Sequence, residues 1–311
     1  MVVVGGGPAG LSAATWAARY RRSVLVIDSG EYRNRWAAES HGYLGADPGN
    51  PMDLLRQARA NLDHYPEVAF CEGRATAARR DDDGRFLVTV DDTDYAGLRL
   101  ILAMGVADEF PEVEGFLDHY GKDVFHCASC DGYQAQGRRL VILGWGAQVV
   151  AFTIGLLDWA ETLTIVTEGR PLEGDDRHRE VLARHGIGLV EDDAVELIGD
   201  PGALRGVRLA GGETLDADMV FFSIAHRPRL ELAEQLGCAT DESDSLCVDR
   251  DGCTTVDGCY AAGDITPGFQ LVPLAVGKGA AAGVAAAVSL QGEEGAPTSP
   301  PPAPDATSEL G

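Results

Sequence analysis

The stretch Val2-Val3-Val4-Gly5-Gly6-Gly7-Pro8-Ala9-Gly10 decides the fold of this chain. Three consecutive valines predict a short buried strand, and residues 11–21 behind the glycines predict a helix. Glycines at positions 5, 7 and 10 form the pattern G-x-G-x-x-G between these two elements, the context in which the pattern is informative. We expect Gly5 to allow a tight turn, Gly7 to let a pyrophosphate approach the backbone, and Gly10 to let helix and strand pack closely.

A carboxylate follows the next predicted strand. Residues 23–27 predict a buried strand that ends in Asp28, about 20 residues after the glycines. A carboxylate at this place accepts hydrogen bonds from a ribose hydroxyl. Strand, glycine turn, helix, strand and acid in this order predict a dinucleotide-binding unit, and a tight turn without a ligand is the alternative.

Two cysteines three residues apart form the second informative motif, Cys127-Ala128-Ser129-Cys130, and Asp131 follows directly. Such a pair can close a small disulfide ring and reopen it when its surroundings favour a thiolate. Asp131 is placed to move a proton to or from a sulfur. Half of a zinc site and two ordinary buried cysteines are the alternatives. A zinc site would need a second pair of ligands, and no other C-x-x-C supplies one. The remaining cysteines are Cys71, Cys238, Cys247, Cys253 and Cys259.

A second strand–turn–helix unit follows the cysteine pair. Residues 139–143 predict a strand, residues 144–149 a glycine turn, residues 150–159 a helix and residues 162–167 a further strand. The turn departs from the first one, because Trp145 is bulky and Val149 stands where glycine or alanine allows close packing. After the last strand, Glu168 would repel the 2′-phosphate of NADP, and Arg170 is the single basic candidate to bind it. A retained fold without a working nucleotide site is the alternative.

Further polar groups are predicted near the first unit. Arg33-Asn34-Arg35 and His41-Gly42 lie in a polar loop that either lines a cofactor channel or is simply solvated. Ala75 is expected on a segment crossing between two strands, and Gly105 closes a strand over residues 98–104. Ala261-Ala262-Gly263-Asp264 places a carboxylate at the C-terminal end of a strand, where α/β sheets bind ligands. Two further expectations are a helix over 273–290 that begins near Gln270, and a turn at residues 225–228. His226 in that turn is expected to be structural, with a catalytic base as the alternative.

Composition limits the classes of partner. The chain has 311 residues, enough for two domains, and carries 25 basic against 49 acidic residues, a net charge of −24. Such a surface argues against nucleic acid or an anionic membrane as a partner. Met1 leads directly into the first strand without a signal peptide, and with the scattered cysteines this predicts a cytoplasmic protein. Residues 291–311 predict a disordered acidic, proline-rich tail.

These motifs in this order resemble the low-molecular-weight thioredoxin reductase family of FAD-dependent pyridine nucleotide–disulfide oxidoreductases. The resemblance rests on residues 5–10 with Asp28, on residues 127–132, and on residues 261–264. It implies an α/β fold of two dinucleotide-binding, Rossmann-like, three-layer domains, the second inserted into the first. Residues 1–108 and 250–290 would bind FAD, and residues 109–249 would form the NAD(P)H-binding-like domain that carries the cysteines.

The resemblance also implies roles for particular residues. Cys130 would lie next to the flavin, Cys127 would exchange with the substrate disulfide, and Asp131 would donate and accept protons. Family members are usually homodimers that rotate one domain against the other. The family's cofactor pattern carries over to Gly5, Gly7, Pro8, Ala9, Gly10, Asp28, Asn34, Ala75, Gly105, Asp264 and Gln270, with no metal ligand.

Three functions remain open on the sequence. The first is a flavin-dependent disulfide reductase that acts on a thioredoxin-like protein. Family reductases that use NADPH carry a glycine- and alanine-rich second turn and a basic cluster. This chain lacks both, so NADPH is doubtful as the electron donor, and ferredoxin or an unknown molecule is the alternative. The second is an FAD-dependent dithiol oxidase that closes a disulfide and passes electrons to oxygen. The third is a flavoprotein redox sensor without turnover.

Overall fold

The computed structural model describes residues 1–224 and 226–291. It shows an α/β fold of two Rossmann-like domains, each with a five-stranded parallel sheet and a three-stranded antiparallel sheet. The second parallel sheet is inserted into the first in the order of the chain, because the last strand of the first sheet follows the whole second sheet. Within the described ranges, no helix has the length and apolar character needed to cross a membrane.

Residues 1–108 contain eight strands, two α-helices and one 3₁₀ helix. Along the chain these are β1 (Val2–Val4), α1 (Pro8–Arg19), β2 (Val24–Asp28), the 3₁₀ helix Arg33–Trp36, α2 (Pro51–Leu62), β3 (Val68–Glu72), β4 (Ala75–Arg80), β5 (Phe86–Val90), β6 (Thr93–Gly97), β7 (Leu100–Leu102) and β8 (Val106–Asp108).

The remaining elements run from residue 116 to residue 288. They are α3 (Phe116–His119), β9 (Val124–Phe125), α4 (Ala128–Asp131), the 3₁₀ helix Gly132–Ala135, β10 (Arg139–Leu143), α5 (Gln148–Ile154), β11 (Thr162–Val166), α6 (Asp176–Arg184), β12 (Gly188–Val190), β13 (Ala194–Asp200), β14 (Ala203–Leu209), β15 (Thr214–Asp216), β16 (Met219–Phe222), β17 (His226–Pro228), α7 (Glu231–Gln235), β18 (Cys259–Ala261) and α8 (Val272–Val288).

The first parallel sheet has the strand order β18-β7-β1-β2-β3. Strands β1 and β7 in its centre are continuous buried apolar runs, and α1 and α8 pack against each other on one face of the sheet. The two helices approach so closely that a Cβ atom at Gly279 or Gly283 would overlap the backbone of α1 at Ala9 or Ala13. The small residues of α8 therefore hold the helix against α1, whose first turn borders the cleft described below.

The second parallel sheet has the strand order β12-β11-β10-β16-β9. Buried aliphatic and aromatic side chains on β10, β11 and β16 fill its core, among them Leu140, Ile142, Ile165 and Phe221. Strand β9 at the edge leads directly into the cysteine motif. The sheet thus fixes the start of α4, which carries Cys130.

An antiparallel ribbon of β8 and β17 joins the two sheets, with His226 opposite Asp108 and Pro228 opposite Val106. This pairing corrects the sequence expectation of a turn at residues 225–228, because His226–Pro228 is a strand; Ala225 lies outside the described residues. The local sequence gave no sign of the ribbon, since its two strands are separated by more than one hundred residues and form only when the two connections between the sheets meet.

The boundaries differ from expectation in a few more places. Ala75 is the first residue of β4, paired with Val90, and does not lie on a crossing segment. The helix α6 was not predicted, and α5 ends at Ile154 rather than continuing to residue 159. Hydrogen bonds of Asp175 and His178 at the start of α6 form a capping box that uses histidine in place of the usual glutamate, so the usual signal was absent. The predicted disordered tail falls, from residue 292 onward, outside the described residues.

Candidate functional site

A cleft of about 510 Å³ runs from the first glycine turn to the cysteine pair. Its size is typical of sites for small molecules and cofactors. Of the predicted site residues, Gly10 alone does not border it. The others line the cleft: Gly5, Gly7, Pro8, Ala9, Asp28, Asn34, Ala75, Gly105, Cys127, Cys130, Asp131, Asp264 and Gln270.

Each glycine of the first turn has a different environment. Gly5 has φ +107°, a region that favours glycine, and a Cβ atom there would overlap the carbonyl oxygen of Ala103. A Cβ atom at Gly10 would overlap the carbonyl oxygen of Gly5, so Gly10 acts through packing of α1 against the turn. A Cβ atom at Gly7 would meet no protein atom within 4 Å, which leaves open space between this backbone and the cleft. The N-terminus of α1 therefore faces the cleft through a bare backbone, which suits a phosphate group.

Asp28 is buried at the end of β2, and its carboxylate already has several partners. It accepts hydrogen bonds from the backbone N–H groups of Gly6 and Gly30, each at 3.1 Å, and from the hydroxyl of Tyr32. The guanidinium of Arg59 lies 3.8 Å away. Asp28 borders the cleft, but a ribose hydroxyl there would have to share its oxygens with these donors.

Cys127 and Cys130 form a disulfide with a Cα–Cα distance of 5.2 Å. The peptide N–H of Cys130 donates to Sγ of Cys127 at 3.0 Å, so Cys127 acts as the N-cap of the short helix α4. An N–H group aimed at a sulfur favours its thiolate form once the disulfide is reduced. Both cysteines border the cleft, so the disulfide is accessible from the same space as the first glycine turn.

Asp131 lies next to the disulfide in a poorly solvated position. Burial raises the pKa of its carboxyl group to about 7, and His41 opposes the shift in part. A group with this pKa is present in both protonation states near neutral pH, which is what proton transfer requires. Such a carboxyl group is suited to proton transfer, and the acid–base role of Asp131 stays a prediction.

His126 and Tyr120 form a second polar pair beside the disulfide. The Tyr120 hydroxyl and Nδ1 of His126 are 2.8 Å apart. Burial lowers the pKa of His126 to about 4, and the charge of Arg33 adds to the effect. The imidazole is therefore neutral at physiological pH, and its ring packs near Phe222.

Arg33 connects the first domain to the ribbon. Its Nε donates to Asp108 on β8 at 2.8 Å, and its Nη1 donates to Oε1 of Gln270 at 2.6 Å. Nη1 also lies 3.6 Å from the carboxylate of Asp264. Nε2 of Gln270 is in turn 2.8 Å from Nε2 of His226 on β17. Both connections between the domains are thus hydrogen-bonded to groups that border the cleft.

The second glycine turn is filled by its own side chains. The Arg170 guanidinium stacks on the ring of Trp145 at 4.1 Å, and the carbonyl of Trp145 accepts a hydrogen bond from the N–H of Glu173. A Cβ atom at Gly146 would overlap the side chain of Gln148, so that side chain covers the glycine that a pyrophosphate would approach. Arg170, the single basic candidate for a 2′-phosphate, is thereby occupied with an aromatic ring.

Glu168 stands where a 2′-phosphate would lie. Its Oε1 is buried and has no hydrogen-bond partner within the described residues. Burial raises the pKa of this carboxyl group to about 7, and the neighbouring carboxylate of Asp193 adds to the shift. Asp193 lies within 3 Å of a Cβ atom placed at Gly169, so two carboxyl groups face the end of β11. This environment disfavours an added phosphate charge.

Several residues of the site were not found from the sequence as site residues. Tyr32 contacts Asp28, Asp108 binds Arg33, and Tyr120 and His126 flank the disulfide. The position of His126 directly before Cys127 was the one local signal available. The partners of Arg33 are 75 and 237 residues away in the chain, so the sequence pattern alone carries no sign of them.

Comparisons with known proteins identify the family of the chain. A family model described as pyridine nucleotide-disulphide oxidoreductase matches residues 1–279. Thioredoxin reductase tcpT of Claviceps purpurea is 28% identical over 311 aligned residues, which cover 93% of this chain and 93% of the relative. A solved structure of an oxidoreductase from Agrobacterium tumefaciens is 36% identical, with a TM-score of 0.82 and coverage of 92% and 96% of the two chains. The crystal structure of HlmI is 32% identical, with a TM-score of 0.86 and coverage of 92% and 90%.

Proposed function

The chain belongs to the pyridine nucleotide-disulphide oxidoreductase family and is a flavin-dependent oxidoreductase of the thioredoxin reductase type; on that premise we propose that it exchanges electrons between FAD and a thioredoxin-like disulfide without NADPH. The observation that carries the proposal is the contrast between an open first glycine turn and a second one filled by side chains. The electron donor would be ferredoxin or another carrier.

The residues of the cleft fit a flavin dinucleotide. The bare backbone at Gly7 and the N-terminus of α1 suit the pyrophosphate, and Asp28 borders the same cleft with a carboxylate that can accept from a ribose hydroxyl. We propose that residues 1–108 and 250–290 hold FAD through Gly5, Gly7, Pro8, Ala9, Gly10, Asp28, Asn34, Ala75, Gly105, Asp264 and Gln270. By the same resemblance, we propose a cytoplasmic homodimer with residues 109–249 as the domain of the cysteine pair.

The protein groups then have distinct tasks. Bound FAD supplies a carrier of two electrons, the same number that opens or closes one disulfide. Cys127 would attack the substrate disulfide, and Cys130 would release Cys127 by closing the internal disulfide. Asp131 would give a proton to the departing thiolate, which requires its protonated form. The neutral His126 and Tyr120 would help to exclude water from this exchange.

An anaerobic titration of the purified yellow holoenzyme tests the proposal. NADPH, NADH, reduced ferredoxin and dithiothreitol are added separately while the visible flavin absorbance is followed. We expect dithiothreitol and reduced ferredoxin to bleach the flavin, and NADPH to leave it unchanged. The matched control is Cys130→Ser, which should lose bleaching by dithiothreitol because the disulfide is gone. Rapid bleaching of the wild type by NADPH would overturn the proposed donor.

A dithiol oxidase is the second candidate, and the filled second turn favours it. Without a nucleotide donor, electrons can enter through the cysteine pair from a substrate dithiol and leave to oxygen. The test is to add a small dithiol in air to the holoenzyme and measure its closure together with hydrogen peroxide. Steady peroxide formation with no reduction of thioredoxin by any donor would select the oxidase over the reductase.

A further inference from the structure

Two cysteines outside the active disulfide meet in the first domain. Sγ of Cys238 and Sγ of Cys259 are 4.0 Å apart, although 21 residues separate them in the chain. Cys238 follows the end of α7, and Cys259 is the first residue of β18 in the central sheet. A disulfide needs about 2 Å between the sulfurs, so closing this pair requires the two sulfurs to approach each other by about a further 2 Å.

Hydrogen bonds hold the two segments together. The Thr254 hydroxyl lies 3.7 Å from Sγ of Cys238 and donates to the carbonyl of Cys259 at 2.9 Å. The next residue, Thr255, accepts a hydrogen bond from the N–H of Ala239 at 2.9 Å. The loop at 254–255 thus contacts both cysteine segments. Its hydrogen bonds keep the two sulfur atoms close to each other.

The two thiols differ in reactivity and access. Contact with Cys259 lowers the pKa of the Cys238 thiol to about 7, and the same contact raises that of Cys259. Cys238 is partly exposed, whereas Cys259 is 1% exposed. In a redox pair the accessible thiolate attacks the oxidant, and the buried thiol beside it then closes the disulfide. Cys238 has the features of the attacking cysteine and Cys259 the position of the resolving one.

We propose that Cys238 and Cys259 form a second dithiol, which hydrogen peroxide closes to a disulfide. The Cys238 thiolate attacks the peroxide oxygen, the O–O bond breaks, and Cys238 becomes a sulfenic acid while hydroxide leaves. The Cys259 thiol then attacks the sulfenic sulfur, an S–S bond forms, and water leaves with the thiol proton. Peroxide is reduced by two electrons, and the two thiols are oxidised by two.

The place of the pair gives the bond a structural consequence. The N-terminal part of α7 borders the cleft through Glu231 and Leu232. Closing Cys238 to Cys259 would tie the opposite end of this short helix to the central sheet. The bond would therefore restrain an element that lines the cofactor cleft, whichever electron donor the enzyme uses. The proposal goes beyond the proposed function and does not depend on it.

Thiol counting in the Cys127→Ser/Cys130→Ser holoenzyme tests the proposal, because five free cysteines then remain. The protein is treated with hydrogen peroxide, freed of oxidant, denatured and titrated for thiols. Loss of Cys238 and Cys259 alone should reduce the count from five to three. Mass spectrometry of the non-reduced digest should show a peptide linking these two residues, and the same peptide in peroxide-treated wild type.

Two further substitutions in that background serve as controls. Cys247→Ser should start one thiol lower and still lose two thiols with peroxide. Cys238→Ser should also start one thiol lower and lose none, with retained flavin absorbance as the check that it has folded. A count that stays at five in the parent variant, or oxidation of Cys238 without a link to Cys259, would overturn the proposal.

Discussion

The two glycine turns of this chain share their topology and differ in what fills them. Each lies between a parallel strand and a helix, at Gly5–Gly10 in the first domain and Gly144–Val149 in the second. The first has open space at Gly7 and borders the cleft. In the second, the side chains of Gln148 and Val149 lie against the glycines, and Trp145 is covered by Arg170.

The difference teaches that the strand–turn–helix pattern determines a fold and not a ligand. Gly144 keeps a positive φ of +158°, so the backbone of the second turn still has the shape that glycine permits. Side chains of Gln148 and Val149 narrow the space beside the glycines. The domain keeps its fold with a filled turn, because the core of the sheet is independent of the turn.

The largest effect is expected from a substitution at Asp131 in the cleft, and Glu168 near the second turn provides the comparison. Asp131 and Glu168 both have a pKa raised to about 7 by burial, but only Asp131 borders the disulfide. Asp131→Asn should slow reduction of a small aliphatic disulfide by prereduced enzyme by about 10²-fold or more, because the departing alkyl thiolate takes up a proton near neutral pH. Glu168→Gln should leave this rate unchanged. Quenched-flow sampling of the released thiol measures both.

The pH profile sharpens this comparison. In the wild type the rate should fall as pH rises through about 7, because Asp131 loses the proton that it donates. Asp131→Asn should remove that dependence. For Glu168 the folded-state pKa lies above the unfolded value, so ionisation destabilises the folded protein as pH rises from about 4.5 to 7. Glu168→Gln should therefore gain on the order of 1 kcal/mol above pH 7, a figure reduced for partial exposure, and nothing at low pH.

A smaller effect separates binding from packing within the first turn. Gly7→Ala adds a methyl group that meets no protein atom, so the unfolding free energy of the apoprotein should stay within about 0.5 kcal/mol. FAD affinity should fall about 10-fold to 100-fold, because the methyl group blocks the approach of the pyrophosphate to the backbone. Fluorescence titration of apoprotein with FAD and urea unfolding measure the two quantities.

Gly10→Ala is the matched control for Gly7→Ala. Its methyl group would overlap the Gly5 carbonyl oxygen, so this substitution should destabilise the apoprotein by about 1–3 kcal/mol as well as weaken FAD binding. Equal FAD affinity in Gly7→Ala and wild type would contradict the placement of the pyrophosphate at this turn.

Local patterns in the sequence were sufficient for the parts of the fold that depend on neighbouring residues. The strand Val2–Val4 and the glycine turn follow from apolar runs and glycine spacing, and the cysteine pair and Asp131 are adjacent in the chain. The family resemblance added Pro8, Ala9 and Gln270 as residues of a cofactor site, and all three line the cleft.

What could not be predicted depends on contacts between distant segments. The β8–β17 ribbon forms only when the two connections between the sheets meet. The Arg33–Asp108 pair joins residues 75 positions apart, and no periodicity near either residue indicates it. The filling of the second turn was predicted only as departures at Trp145 and Val149. The stacking of Arg170 on that ring could not be predicted from the sequence, because the two residues lie on different connections of the sheet.

The smallest expected effect concerns this stacked pair. Arg170→Ala should lower the unfolding free energy by about 0.5–1 kcal/mol, the usual contribution of an exposed cation–π contact, and should expose the Trp145 ring to water. Arg170→Lys retains the charge and should lose less. If Arg170 served a nucleotide phosphate instead, Arg170→Ala would weaken NADPH binding, measured by isothermal titration, while leaving stability unchanged. We expect the opposite, because the guanidinium is already used to cover the tryptophan and Glu168 beside it repels a phosphate.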